Sequence, residues 1–249
     1  MSKKIRKPAA TRTRRSSTNI IMTVVILAVA IVVIGGVILF GGSDDEPGDD
    51  HAGSVPSSVL TPTGSHTVAE ARGDTVTMVE FLDYQCPACA AYYQNVTRRL
   101  ERDYAGRITF ITRNFPLDAH PLAVTAAQAA EAAAAQGEYQ EMYHLLYDNY
   151  RSWALAADGK TVSDDQNRAR RQFDSYAQRI GLDLDRFHRD MASETVRQRI
   201  DHDRSDGQQA GVTSTPTIFV NGSRFDPQGD SFADVDRELR DMLDGAQDR

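Results

Sequence analysis

Residues 80–93, EFLDYQCPACAAYY, contain both cysteines of the 249-residue chain, Cys86 and Cys89, with Pro87 and Ala88 between them. Two thiols at this spacing suit three chemistries: metal ligation, a structural crosslink, or reversible thiol–disulfide exchange. A structural zinc site takes four Cys or His ligands, often as two ligand pairs. Here one cysteine pair stands alone. The six histidines (His51, His66, His120, His144, His188 and His202) show no close His-x₃₋₅-His spacing, so no metal is assigned. A disulfide closing so short a loop removes little entropy from the unfolded chain, and the domain is long enough to build its own core. Exchange chemistry accounts for more of the surrounding sequence.

That chemistry needs an activated thiolate, and the flanking elements are those that provide one. Residues 75–84, TVTMVEFLDY, are apolar and β-rich, bounded by Gly73 and Asp74, and read as a buried strand. The helix that follows has Pro87 near its first position and Gly106 past its end. Cys86 then sits at a helix N-terminus, where unpaired N–H groups and the macrodipole favour an anion. Cys89 lies one turn later on the same face, within reach of a disulfide. Cys86 is expected to be exposed and to attack substrate. Cys89 is expected to be more buried and to resolve the mixed disulfide.

Further along, residues 107–115 predict a second strand. Helices are predicted over about 121–136, 138–150, 165–180, 183–190 and 193–208. Residues 215–225 predict a hairpin turning at Asn221 and Gly222. Residues 231–246 predict a closing amphipathic helix capped by Ser231. The two β-containing halves have too few strands to be stable separately, so the helical block is an insertion within one domain.

Three stretches carry a family resemblance: VEFLDYQCPACAAYY, RNFPLDAHPLAVTAAQAAEAAAAQGEYQEMYHLLYDN and GVTSTPTIFVNG. In this order they resemble DsbA-like thiol–disulfide oxidoreductases of the thioredoxin superfamily. The resemblance covers about residues 67–247. It implies an α/β thioredoxin fold with an inserted helical subdomain at about 117–208. It also implies a cis Thr215-Pro216 peptide beside the cysteines, with the Thr215 backbone turned toward a substrate strand. Glu80 matches a buried acid of thioredoxin-like folds, and burial would raise its pKa and let it relay a proton to or from Cys89. No cofactor beyond a redox-active disulfide of Cys86 and Cys89 is implied. Asp83 reads as a polar residue at a strand end, and His120-Pro121 as a loop into the inserted helices rather than a ligand. Tyr84, Tyr92, Tyr93 and Trp153 read as packing aromatics.

Location follows from charge. Seven of the 28 Lys and Arg residues precede residue 20 and no Asp or Glu does, which leaves 21 basic against 35 acidic side chains in the remainder. So acidic a body argues against nucleic acid as a partner. Residues 20–40 carry no charge and would span roughly 30 Å as a helix, about one hydrocarbon core. The expected organisation is a basic cytoplasmic tail at 1–19, a single-pass transmembrane anchor at 20–40, a flexible acidic linker at 41–66, and an extracytoplasmic catalytic domain at 67–249. Disulfide chemistry suits that compartment. The resemblance implies exported cysteine-containing proteins as substrates and a quinone-linked DsbB-like or VKOR-like membrane protein as reoxidant. The best-known oxidases of the family carry Pro-His between the cysteines, and often Val before the cis-proline. This chain has Pro87-Ala88 and Thr215. A dithiol oxidase is the leading expectation. The alternatives are a reductase or isomerase fed by a membrane electron donor, and a non-catalytic peptide- or metal-binding module.

Overall fold

A long central strand, β2 (Ala71–Leu82), organises the computed structural model, which describes residues 54–248. The tail at 1–19, the anchor at 20–40 and the linker up to residue 53 lie outside the described residues. Strand β1 (His66–Ala69) precedes β2. After β2 comes one continuous helical run: α2 (Pro87–Tyr92), a π-helical turn (Tyr93–Thr97) and α3 (Arg98–Asp103). Strand β3 (Gly106–Asn114) then pairs parallel to β2. Six helices follow: α4 (Ala123–Ala134), α5 (Tyr139–Asp148), α6 (Tyr150–Trp153), α7 (Gln166–Arg179), α8 (Leu184–Met191) and α9 (Glu194–Gln209). Strands β4 (Thr217–Val220) and β5 (Ser223–Phe225) and helix α10 (Phe232–Gln247) complete the chain. The sheet order is β1-β3-β2-β4-β5, with every pairing antiparallel except β2 with β3. Among the described residues no helix is long and apolar enough to cross a membrane.

Side chains alternate across β2 because successive strand residues point to opposite faces. Met78 and Leu82 enter a core with Cys89, Val96, Phe110, Leu239 and Leu243. Val79 and Phe81 enter a second core with Leu60, Ile111, Phe115, Val212 and Phe219. Both faces are therefore covered, and Glu80, on the face of Met78 and Leu82, has no route to solvent. Helix α9 crosses the second core at Gly207, where a Cβ would lie 2.6 Å from the Phe115 ring. Alanine side chains line the buried faces of α4, which packs against α5, α7, α8 and α9. Small side chains let these helices approach closely, as the Ala-rich run suggests.

Two differences from the sequence reading have physical causes. Strand β2 begins at Ala71 rather than residue 75, passing through Gly73 (φ 100°) with a register shift between Ala71 and Val76. A glycine that breaks strand periodicity looks like a boundary, yet its freedom at positive φ lets the strand continue. The second difference concerns the linker expected to extend to residue 66. Its second half is folded. The N–H of Val55 donates to the carbonyl of Gly222 at 2.9 Å, helix α1 (Ser57–Leu60) buries Leu60, and β1 begins at His66. Arg113, fully buried on β3, holds this segment from below. Its Nη1 donates to the carbonyls of Val59 and Leu60, both at 2.9 Å. Its Nε and Nη2 donate to Asp203 at 2.8 Å and Asp206 at 2.5 Å on α9. A Gly- and Ser-rich composition shows no such anchorage, because the anchor is an arginine about fifty residues away.

Candidate active site

The site is assembled where β2 gives way to α2. The strand ends at Leu82, and Asp83 turns the chain. The Asp83 carbonyl accepts the N–H of Cys86 at 3.1 Å, and its Oδ1 accepts the N–H of Gln85 at 2.7 Å. Gln85 then fastens this turn to the inserted helices. Its Nε2 donates to the carbonyls of Ser163 at 2.7 Å and Ala154 at 3.1 Å, and its Oε1 accepts the N–H of Leu122 at 2.6 Å. The Tyr150 hydroxyl donates to the Gln85 carbonyl at 2.7 Å. Every one of these groups is buried, so each bond is costly to break without replacement. The helical insertion thus sets the position of the turn from which Cys86 departs.

Cys86 occupies the N-cap of α2 with Pro87 at the first helical position, where its missing N–H leaves no vacancy. Pro87 and Ala88 are exposed. Cys86 itself is not the exposed thiol expected: only 5% of it reaches solvent, because the Thr215 carbonyl lies 3.5 Å from its sulfur and Cys89 packs beside it. Cys89 is wholly buried. Both thiols are free.

The two sulfurs differ in acidity. The Cys86 thiol is lowered from 9.0 to about 6, chiefly because the Cys89 thiol hydrogen-bonds its sulfur. Burial opposes that effect, and the Cys89 N–H, the Thr215 side chain and the Ala88 N–H reinforce it. These N–H groups belong to the first turn of α2 and would otherwise lack partners. Cys89 is pushed well above its ordinary value, first by burial and then by the Cys86 sulfur and the Glu80 charge. One sulfur is thereby held as a nucleophile at neutral pH and the other as a thiol.

Glu80 lies behind the pair on β2. It is buried, its Oε2 has no hydrogen-bond partner, and burial raises it from 4.5 to about 8. It therefore carries a proton at neutral pH. Thr215 joins the site from the turn just before β4 through a cis Thr215-Pro216 peptide, and its Oγ1 is also buried without a partner. Tyr84, Tyr92, Tyr93 and Trp153 are buried packing residues, with Tyr84 bonded to Tyr139 at 3.0 Å and Trp153 Nε1 donating to the Leu146 carbonyl at 2.9 Å.

Asp83 and His120 were not read as site residues, yet both are there. Asp83 is buried, and its Oδ2 meets His120 Nδ1 at 2.6 Å and the N–H of Leu117 at 2.9 Å. His120 is 12% exposed at its side chain and is raised above 6.5, first by the Asp83 hydrogen bond. Burial opposes this, and the charges of Asp83 and Cys86 add to it. The adjacency of Asp83 to Cys86 in sequence was the available signal; its pairing with a histidine 37 residues on was not visible.

The family model described as thioredoxin (Thioredoxin_4) matches residues 71–237. Among curated proteins, a Na(+)/H(+) antiporter NhaA 3 of Salinispora tropica is 39% identical over 154 residues, which are 61% of this chain and 21% of that protein. The chain thus spans about a fifth of the length of the curated relatives it matches, with 21% of that antiporter aligned, and antiport is stated of those proteins. Among solved structures, a thioredoxin-like oxidoreductase from Silicibacter pomeroyi aligns with a TM-score of 0.59 at 23% identity, over 79% of this chain and 99% of that one. The thiol-disulfide exchange protein alpha-DsbA2 from Wolbachia pipientis aligns with a TM-score of 0.58 at 22% identity, over 76% and 90%. At these identities the two structures establish a shared fold.

Proposed function

This chain belongs to the thioredoxin family, and we propose that it is a thiol–disulfide oxidoreductase acting as a dithiol oxidase on exported proteins. The observation that carries the proposal is the asymmetry of the two sulfurs: Cys86 is lowered to about 6 and Cys89 is raised. Thiolate stabilisation favours the reduced form of the couple and so makes its disulfide oxidising.

The cycle starts from the disulfide of Cys86 and Cys89. A substrate thiolate attacks the Cys86 sulfur, a new S–S bond forms, and the bond to Cys89 breaks. Cys89 leaves as a thiolate and takes a proton, for which the protonated Glu80 is the proposed source. The second substrate thiolate then attacks the substrate sulfur of the mixed disulfide and expels Cys86 as a thiolate. Two electrons have passed from the substrate dithiol to the cysteine pair. The proposed reoxidant is a quinone-linked DsbB-like or VKOR-like membrane protein, which takes the two electrons and two protons to form a quinol. Thr215 holds a hydroxyl free for the Cys86 thiolate, while the exposed Pro87 and Ala88 form the surface that substrate meets. No histidine at residue 88 is needed for a low thiol pKa, because helix N–H groups, Cys89 and Thr215 act together.

We assign residues 20–40 as the anchor, with the cysteines on the extracytoplasmic side. The decisive measurement is the reduction potential of the full chain in detergent, by equilibration with glutathione. A value near about −120 mV supports the oxidase, and one near about −270 mV turns the assignment to a reductase. Absence of a reversible disulfide would refute both.

A further inference from the structure

His120 shares a hydrogen-bonding partner, Asp83, with Cys86. Its Nδ1 bonds the buried Asp83 carboxylate at 2.6 Å, and the same Asp83 holds the Cys86 N–H through its carbonyl at 3.1 Å. One residue thus fixes the thiol and the imidazole together. A carboxylate on Nδ1 orients the ring and favours its cationic form. We propose that His120, positioned by Asp83, is the cationic partner of the Cys86 thiolate in the reduced site, and that it loses this partner when Cys86 enters a disulfide.

The Asp83 carboxylate is the direct partner of the imidazole, and the Cys86 thiolate adds a second negative charge beside it. Asp83 and Cys86 are the groups whose charges raise His120. The phenols of Tyr147 on α5 and Tyr150 on α6 occupy the carbonyls of Asp83 and Gln85 and stay neutral, since burial raises both. Arg204 on α9 turns to Asp118 of the same loop at 2.8 Å. The chemical consequence is a proton coupling. In the dithiol form, loss of the Cys86 proton leaves an anion that holds the proton on His120. Oxidation removes two electrons and the thiol protons to an accepting disulfide, such as oxidised glutathione, which leaves as two thiols. The neutral disulfide no longer holds the His120 proton. Coupling is reciprocal, so the effect of thiolate on imidazolium equals that of imidazolium on thiolate.

The inference rests on the thiol–disulfide reading for its functional meaning, but its test needs no substrate protein. The full chain in detergent is prepared reduced with excess dithiothreitol and oxidised with oxidised glutathione, and the histidine Cε1–H resonances are titrated by NMR. His120 is identified by its loss in His120→Gln. The expected result is that His120 titrates about one unit higher in the reduced form than in the oxidised form, and that Cys86→Ser abolishes the difference. Thiolate absorbance near 240 nm should show the Cys86 pKa rising by the same roughly one unit in His120→Gln, which retains a donor for Asp83 but no charge. A purely structural histidine would move neither quantity. Equal His120 titrations in the two redox forms would overturn the proposal. That comparison uses the wild-type chain, so it stands even where His120→Gln folds poorly. Failure to oxidise reduced peptides, with the titration difference intact, would instead count against the proposed function alone.

Discussion

Cys86 and Thr215 lie 129 residues apart in sequence and meet at 3.5 Å, the Cys86 S–H donating to the Thr215 carbonyl. In that dithiol arrangement the Thr215 hydroxyl is buried and has no partner. Ionisation of Cys86 reverses the demand: the carbonyl loses its donor and the hydroxyl gains an acceptor. Thr215→Val keeps the shape and deletes the hydroxyl. The Cys86 pKa should rise by about one unit, the scale of a hydrogen bond to a charged group. Fluorescence-monitored unfolding of the dithiol at pH 5 should show no loss of stability. An unchanged thiolate titration would remove Thr215 from the site's electrostatics.

The pH dependence of alkylation separates the two sulfurs. Iodoacetamide should modify the reduced chain at a rate rising through a midpoint near pH 6, the value to which Cys86 is lowered from 9.0. Cys89, raised and wholly buried, should react only on unfolding. Stability carries the same signature. A depressed acid contributes stability that is fully present above its unfolded value and is lost as pH falls through its folded value. The reduced form should therefore lose thermal stability relative to the oxidised form as pH drops from 9 through 6. A midpoint near that of an ordinary thiol, or equal labelling of both cysteines, would contradict the assignment.

Much of this site was legible in the sequence because its signals are local. A strand, two cysteines, a proline at the first helical position and the Asn221-Gly222 hairpin all show within a few residues, and the hairpin turn has Asn221 at φ 47° and Gly222 at φ 84°. The helical insertion was legible through long periodic segments, and the five expected helices start within two residues of expectation, while the one-turn helix α6 was missed. Glu80 was legible as buried only if both sheet faces were covered, and Cys89, Val96, Leu239 and Leu243 cover the face it shares with Met78 and Leu82. What was not legible is contact between distant elements. Strand β1 has four residues, too few for periodicity to register. The reach of Gln85 to Ala154 and Ser163, and of Asp83 to His120, depends on how the inserted helices dock.

Glu80→Gln tests the buried acid through both stability and chemistry. Wild-type Glu80 is raised to about 8 in the fold from 4.5. Below about pH 4.5 both folded and unfolded chains hold the proton, and the variant should match the wild type. Between those values only the folded chain holds it, so wild-type stability falls as pH rises. Gln has no proton to lose, and the variant should be more stable at pH 8 by on the order of a few kcal/mol. Thermal midpoints recorded from pH 4 to 9 should diverge progressively. The variant should also form the mixed disulfide with substrate more slowly, because Cys89 lacks its proton donor as it leaves Cys86. Parallel stability profiles would show that Glu80 is ionised in the fold and would end its role as a proton relay.

Arg113 makes the start of the folded unit testable. It is fully buried, and its guanidinium satisfies Asp203, Asp206 and the carbonyls of Val59 and Leu60 at once. Removing one partner of a buried ion pair leaves an uncompensated charge, at a cost of about 3–5 kcal/mol. Arg113→Ala should therefore lower the chemical unfolding midpoint steeply. A chain beginning at residue 67 should be weakened in a different way, because it lacks Leu60, half of the contacts beneath Arg113, and the first residue of β1. A chain beginning at residue 51 retains all of them. Urea unfolding of the two truncated chains compares them directly. The longer one should match the full chain in midpoint, and the shorter one should unfold several kcal/mol earlier, a scale set by burying Leu60 and pairing two buried carbonyls. Equal midpoints would restore residues 54–66 to the status of linker.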